Sequence, residues 1–344
     1  MNDKLLQGPD FTSTLVGVIT RFRQAPTPLM SDIESMFHQV EVAPDHCDAL
    51  RFLEWPENDM ERQPQDYRLK VFPCGAVCSP SCAGYALRRT AQGNEGLFPP
   101  EVIDPVNRNF YVDDSLELVT DEDSAVSFVP KLGPLLPSAG FHLTMWLSTS
   151  SNLRATILES GRAKSIKDLQ LGVMPSQRAL GVKWNLESDT FGFKVKAKEK
   201  PPTHRGILSL VSSVYNPLGF ASPFVLPAKV ILQNLCFRGL KWEEVVPEEH
   251  LKNWQQWLLD LQRLEKFSAN RCFKPSGFGD ASSCELHHFS DASQVGFGTV
   301  TYLRFGNDSG KIHCTLVMSK ARVFALKKIT IRRLKLSAAA VSQT

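Results

Sequence analysis

The sequence contains no run of about 18 apolar residues, the length a membrane-spanning helix needs, so no membrane partner is expected. Its start, Met1-Asn2-Asp3-Lys4-Leu5-Leu6-Gln7, lacks the basic and apolar blocks of a secretory leader. Eight cysteines scattered over 344 residues do not make a disulfide framework. The one close spacing, Cys74, Cys78 and Cys82, is interrupted by Pro80 and has no matching Cys-x2-Cys, so zinc is not expected there. These absences predict an intracellular, reduced protein. Acids are also missing from Ser309 to Thr344, where eight cations stand (Lys311, Lys320, Arg322, Lys327, Lys328, Arg332, Arg333, Lys335). Subtracting them from the net charge of +3 leaves −5 for residues 1–308. Such a basic tail can contact phosphates or can be a solvated end.

What is present is an ordinary globular composition, 42% hydrophobic and 22% charged, over a length sufficient for two or three domains with cores. The stretch that organises it is Asn109-Phe110-Tyr111-Val112-Asp113-Asp114-Ser115-Leu116-Glu117-Leu118-Val119. An apolar run climbs to two adjacent carboxylates and a second apolar run leaves them, which predicts a β-hairpin with both acids at a tight turn. Adjacent carboxylates repel unless a cation neutralises them, and hard divalent ions prefer oxygen ligands.

Upstream, Leu5 to Phe22 is largely apolar and reads as a helix that Pro26 and Pro28 break. Leu29 to Val42 predicts a strand ending at Asp32 that turns into a short helix. In isolation such an Asp reads as a helix N-cap. With the acid pair about 80 residues later, it also fits a site where three carboxylates meet. Pro247 opens a helix whose Leu251, Trp254, Leu258 and Leu261 fall on one face and read as core.

Four ordered motifs then carry a resemblance. Asp32-Ile33-Glu34-Ser35-Met36-Phe37-His38-Gln39-Val40 resembles the first catalytic motif of reverse transcriptases in Pao/BEL-type long-terminal-repeat retrotransposons. Asp45 to Trp55 continues it as a turn and strand. Gly75-Ala76-Val77-Cys78-Ser79-Pro80-Ser81-Cys82-Ala83 resembles the motif that supports template and incoming nucleotide, with Ser79-Pro80 opening a helix. Tyr111-Val112-Asp113-Asp114 is similar to the polymerase motif of the same family.

The resemblance implies RNA-directed DNA polymerase activity by two-metal nucleotidyl transfer. Asp32, Asp113 and Asp114 would be catalytic and would hold two Mg2+ or Mn2+ ions. Phe37, Gly75, Ser79 and Tyr111 would touch nucleotide or template, with Phe37 selecting deoxynucleotides unless it is simply a core aromatic. The implied partners are an RNA template, a DNA primer, deoxynucleoside triphosphates and other polyprotein segments, in the cytoplasm, a retroelement particle or the nucleus. Ala139 to Trp146 resembles the next motif, but Met145 stands where relatives place the Lys thought to protonate pyrophosphate. Met cannot donate a proton, and losing a general acid typically costs about 10²–10⁴-fold. Relatives extend upstream through strands that supply cations for the triphosphate, a role Arg21 and Arg23 could partly take.

Arg178 to Trp184 with Thr190 to Phe193 reads as a hairpin resembling the primer-grip region. Lys194 to Arg205 reads as a basic linker or a backbone contact. Residues 206–267 read as helical, with Tyr215 to Phe220 a turn resembling the Pao connection region. Leu286-His287-His288-Phe289-Ser290-Asp291-Ala292-Ser293 and Gly296 to Leu303 resemble the opening of a ribonuclease H domain, with Asp291 its first metal ligand. Lys335 takes the place of the second acid, so that site is degenerate and ribonuclease H activity is not expected. His287 and His288 read as plain strand residues. The C-terminal half also resembles the Pao retrotransposon peptidase family, although no Asp-Thr/Ser-Gly loop accompanies Asp291.

The expected fold is α+β: a partial fingers and palm of a reverse transcriptase over residues 1–165, a thumb/connection-like region over 166–275, and a truncated ribonuclease H-like α/β domain over 276–344. The alternative reading is a catalytically decayed retroelement remnant that at most binds nucleic acid.

Overall fold

The computed structural model describes residues 2–150, 153, 176–195, 200–323 and 330–341. Among these, no helix is long and apolar enough to cross a membrane. The chain divides into two compact units, Met1–Phe22 with Thr27–Val173, and Arg23–Pro26 with Met174–Thr344.

In the first unit, helix α1 (Leu15–Phe22) leads to strand β1 (Thr27–Ile33). The apolar stretch expected to be helical from Leu5 enters the helix only at Leu15. Gly8, with φ +78°, and Pro9 hold the earlier part out of helical geometry. Strands β2 (Arg51–Glu54) and β3 (Gln65–Arg68) pair as a ribbon. Helix α2 (Ser79–Gly93) starts at the predicted Ser79-Pro80, and α3 (Pro100–Arg108) follows with Pro in its first turn. Then come β4 (Phe110–Tyr111), β5 (Asp114–Val119), helix α4 (Glu122–Leu135) and β6 (Leu143–Ser148). Asp121 caps α4 by accepting from the Ser124 N–H at 2.7 Å, and acids in the first turn suit the helix dipole.

These strands form one sheet in the order β4-β5-β1-β6, so the strand bearing Asp32 lies beside the strand bearing Asp114. Leu29 and Ile33 of β1 pack with Leu87, Val102, Val106, Leu132 and Phe141 in the main core of this unit. Side chains alternate along a strand, so Asp32 lies on the opposite face, turned away from that helical layer.

In the second unit, β7 (Ser176–Ala179), β8 (Val182–Asn185), β9 (Thr190–Gly192) and β10 (Ser268–Asn270) form a sheet ordered β10-β9-β8-β7. The predicted hairpin is therefore two turns of a larger meander. Helices α5 (His204–Ser212), α6 (Ser222–Phe237) and α7 (Glu248–Arg263) fill the stretch read as helical. Trp254 and Leu261 are buried and Leu251 and Leu258 pack against the same cluster, so the α7 stripe is core. The Trp254 and Trp257 rings stack with centroids 5.0 Å apart. Strands β11 (Ser283–Ala292), β12 (Gly296–Gly306) and β13 (Ile312–Val323) form an antiparallel sheet, followed by helix α8 (Ile331–Val341). Lys327 and Lys328 of the basic tail, and residues 196–199 of the basic stretch, lie outside the described residues.

Two buried guanidinium groups organise this unit. Arg271 is fully buried and forks onto Asp189, with Nε to Oδ1 at 2.7 Å and Nη2 to Oδ2 at 2.8 Å. It also donates to the carbonyls of Ala25 and Pro26. Arg23 donates to the carbonyls of Arg271, Leu316 and Val317 and stacks over Phe273 at 4.1 Å. The expectation that Arg23 could meet a triphosphate is therefore corrected. Its charge is spent on backbone carbonyls inside the unit, and burial pushes its pKa down to about 9.

Candidate active site

The acid turn forms as the sequence predicts. Phe110 pairs with Ser115 and Tyr111 with Asp114, leaving Val112 and Asp113 as the two turn residues. Val112 adopts φ +58°, a left-handed conformation that a β-branched residue takes only under strain. The hairpin is then docked onto β1. Asp114 stands directly opposite Asp32 in the β1–β5 ladder, and the Ile33 N–H donates to the Asp113 carbonyl at 2.9 Å. Three acids separated by about 80 residues of chain are thus gathered at one end of one sheet, all half-buried.

Their electrostatics follow from that placement. Burial first, then Asp113 and Glu34, push the Asp32 carboxyl up to about 6. Burial, then Asp113 and Asp32, push Asp114 up to about 7. A hard divalent cation would remove the cost of charging Asp32 and Asp114 beside Asp113, so the donor chemistry fits such an ion. Among the described residues, however, no three His, Cys, Asp or Glu side chains converge on one ion position. The three carboxylates share an electrostatic field without a preformed cage, and their side chains would have to turn inward around a cation.

Strand β6 closes the other side of β1. Asp32 pairs with Thr144, whose hydroxyl donates to the Asp32 carbonyl at 3.4 Å. Between Met30 and Asp32 the register slips, with an extra residue on β6, and Met145 sits in this bulge at φ +55°. Met145 is 51% exposed beside the acids, so the position expected to bear a general acid presents a thioether instead.

Beneath the hairpin lies a group the sequence did not flag. Glu117 is fully buried, accepting from Asn109 Nδ2 at 2.7 Å and from Ser115 Oγ at 2.7 Å. Burial raises its pKa, while Asn109, Ser115 and Arg21 oppose the rise. Arg21 in turn donates to Asn109 Oδ1 and to the Arg108 carbonyl. This network ties the first strand of the hairpin to the second.

The remaining expected contact residues divide. Phe37, in the 3-10 turn Met36–Gln39, is half-buried and packs against the main core. Tyr111 is half-buried beside Asp114. Gly75 is exposed at φ +90° with open space around it. Ser79 is fully buried and its hydroxyl donates to the Pro73 carbonyl at 2.7 Å, which fixes the start of α2.

In the second unit, Asp291 ends β11 and Lys335 comes from α8, their charged atoms 3.3 Å apart. The Ala292 N–H, then Lys335, hold the Asp291 carboxyl below its ordinary value. His287 and His288 lie in β11, as expected of strand residues, and the His287 ring stands 3.1 Å from Glu285, which also pairs with Arg304. His288 bonds Thr301.

Residues 203–344 match a family model described as "Pao retrotransposon-like RNaseH-like domain". That match begins at the N-cap of α5, well before the strand that bears Asp291. A solved structure titled "Structure of the foamy viral protease-reverse transcriptase in complex with RNA/DNA hybrid" is similar in fold, with TM-score 0.57 and 15% identity. The match covers 96% of this chain and 38% of that one, so the chain spans well under half of that protein. No curated protein matches. Together they show a mixed helix and sheet fold with a Pao retrotransposon-like, ribonuclease H-like region over residues 203–344.

Proposed function

We propose that this chain, a Pao/BEL-type retroelement pol fragment, is the RNA-directed DNA polymerase segment of a retrotransposon polyprotein, with residues 1–165 forming its palm and partial fingers. The observation that carries the reading is the placement of Asp32 directly across the sheet from Asp114, with Asp113 in the turn between strands. Sheet geometry that buries acids at such cost is retained where the charge is used.

Asp32, Asp113 and Asp114 would hold two Mg2+ or Mn2+ ions. When bound, such ions lower the pKa of a primer 3′-hydroxyl and neutralise charge on the triphosphate. The chain's own residues supply position. The ladder and the Ile33–Asp113 bond fix where the carboxylates start, and Glu117 with Asn109 keeps the hairpin in register. Tyr111 pairs with Asp114, Phe37 would pack against a deoxyribose, and Gly75 would leave room for close backbone approach. The partners are an RNA template, a DNA primer, deoxynucleoside triphosphates and neighbouring polyprotein segments. The solved neighbour's title names an RNA/DNA hybrid.

The second reading, a remnant that binds nucleic acid without chemistry, is favoured by Met145 beside the acids and by the Asp291–Lys335 pair. Primer extension on an RNA template with Mg2+ or Mn2+, beside an Asp113→Asn control, separates the two. The polymerase reading expects incorporation that the substitution abolishes. Template binding without incorporation leaves the remnant reading, and incorporation that survives Asp113→Asn refutes the role given to the acids.

A further inference from the structure

A cleft of about 510 Å³ opens in the second unit between α5, the start of α6 and β13. Three cations line it, Lys229 from α6 and Lys320 and Arg322 from β13, together with the polar groups of Ser212, Asn216 and Ser222. Among the described residues no carboxylate lines the cleft. Among the described residues, none of the three cations takes part in an ion pair. Like charges gathered without an acid repel one another, and a bound anion would remove that cost.

The walls are built to stay open. β13 is an edge strand of its sheet, and the turn before α6 docks on that edge. The Ser319 N–H donates to the Leu218 carbonyl at 2.9 Å, and its hydroxyl donates to the Gly219 carbonyl at 2.6 Å. Gly219 has φ +79°, and any Cβ there would collide with the Ser319 carbonyl, so only glycine allows this approach. Two residues on, alternation along the antiparallel strand turns the Ala321 N–H to the same side as that of Ser319, towards the cleft. The first turn of α6, with Ser222 at its start, adds the positive end of a helix dipole.

We propose that this cleft is a phosphate site that seats the backbone of a nucleic-acid strand. Among the described residues no aromatic side chain lines it, and charge and hydrogen-bond donors there read phosphate rather than a stacked base. The proposal rests on reading the chain as a nucleic-acid enzyme, but its test needs no catalysis.

The test is fluorescence anisotropy of the full chain with a labelled RNA/DNA hybrid in EDTA across a salt series. It compares wild type, the triple variant Lys229→Ala/Lys320→Ala/Arg322→Ala, and a control with exposed Lys252→Ala and Lys311→Ala. The triple variant is expected to bind about 10-fold or more weaker and to lose about 2–3 from its log–log salt slope, because each phosphate contact contributes roughly 0.7–0.9. The control keeps the wild-type slope, and the charge-preserving Lys320→Arg keeps it too. Melting curves confirm that each variant folds. An unchanged slope in the triple variant overturns the proposal. Inorganic pyrophosphate is titrated in parallel. If it binds wild type but not the triple variant, while hybrid binding is untouched, the site belongs to a free phosphate ligand and the backbone assignment falls. Primer extension on the same preparations separates the failures: incorporation that depends on Asp113, beside an unchanged slope, sinks only this proposal.

Discussion

Asp32 and Asp114 face each other as direct partners across the antiparallel β1–β5 ladder, two acids where a sheet ordinarily pairs opposite charges or apolar groups. The folded chain holds a proton on Asp114 up to about 7, against an ordinary 3.8. Between these values the unfolded chain binds fewer protons than the folded one, so stability falls as pH rises through that window. Asp114→Asn removes the cost. The variant should be more stable than wild type by about 1–2 kcal/mol near pH 8 once solvent screening is allowed for, with the gain vanishing towards pH 4. Urea melts at several pH values check this. A variant less stable than wild type at alkaline pH would contradict the electrostatic account.

Glu117 offers a second test, because it is buried without touching the acids themselves. Glu117→Ala strands Asn109 Nδ2 and Ser115 Oγ and leaves a hole, and should cost about 2–4 kcal/mol in a urea melt. Glu117→Gln keeps the shape and one acceptor and should cost about 1 kcal/mol. Equal losses would mean that charge, not hydrogen bonding, is what the network needs.

The Arg271–Asp189 fork should behave as a buried pair does when one partner is removed. Arg271→Leu leaves Asp189 with only the Trp184 Nε1 bond, takes the Arg271 donor from the Ala25 and Pro26 carbonyls, and should destabilise the second unit by about 3–5 kcal/mol. The double change Arg271→Leu with Asp189→Asn should recover part of that loss, which a double-mutant cycle reads directly.

Met145 makes a prediction of the opposite sign. It is exposed in the bulge next to Asp32, so Met145→Lys places an ammonium beside the acids without disturbing the core. Single-nucleotide incorporation should rise by about 10-fold or more if proton donation to the leaving group is what wild type lacks. An unchanged rate would show that the chemical step is limited elsewhere.

The sequence made legible those features whose causes are local. The hairpin follows from two apolar runs around Asp113-Asp114, α2 from Ser79-Pro80, and the buried side of α7 from the spacing of Leu251, Trp254, Leu258 and Leu261. What was hidden depends on partners distant in the chain. An alternating strand suggests a solvated Glu117, yet β5 is an inner strand and Asn109 supplies the partner. Arg23 reads as a free cation until Arg271, some 250 residues later, brings its carbonyl. Ser79 belongs to a motif that suggests ligand contact, but its hydroxyl is used by Pro73. Lys229 has no local signal at all; only folding places it beside Lys320 and Arg322. The acids were the reverse case: the spacing of Asp32 from the Asp113-Asp114 pair suggested that they meet, and the ladder sets Asp114, not Asp113, directly opposite Asp32.

The central claim is that these three carboxylates take up divalent cations, and Mn2+ titration followed by electron paramagnetic resonance tests it most directly. The titration uses the chain bound to an RNA template, a chain-terminated DNA primer and the next deoxynucleoside triphosphate, so that no turnover intervenes. The account predicts bound Mn2+ in wild type that is lost or greatly weakened in Asp32→Asn and in Asp113→Asn, with both variants still binding the hybrid. Mn2+ uptake equal in wild type and in both variants would contradict it.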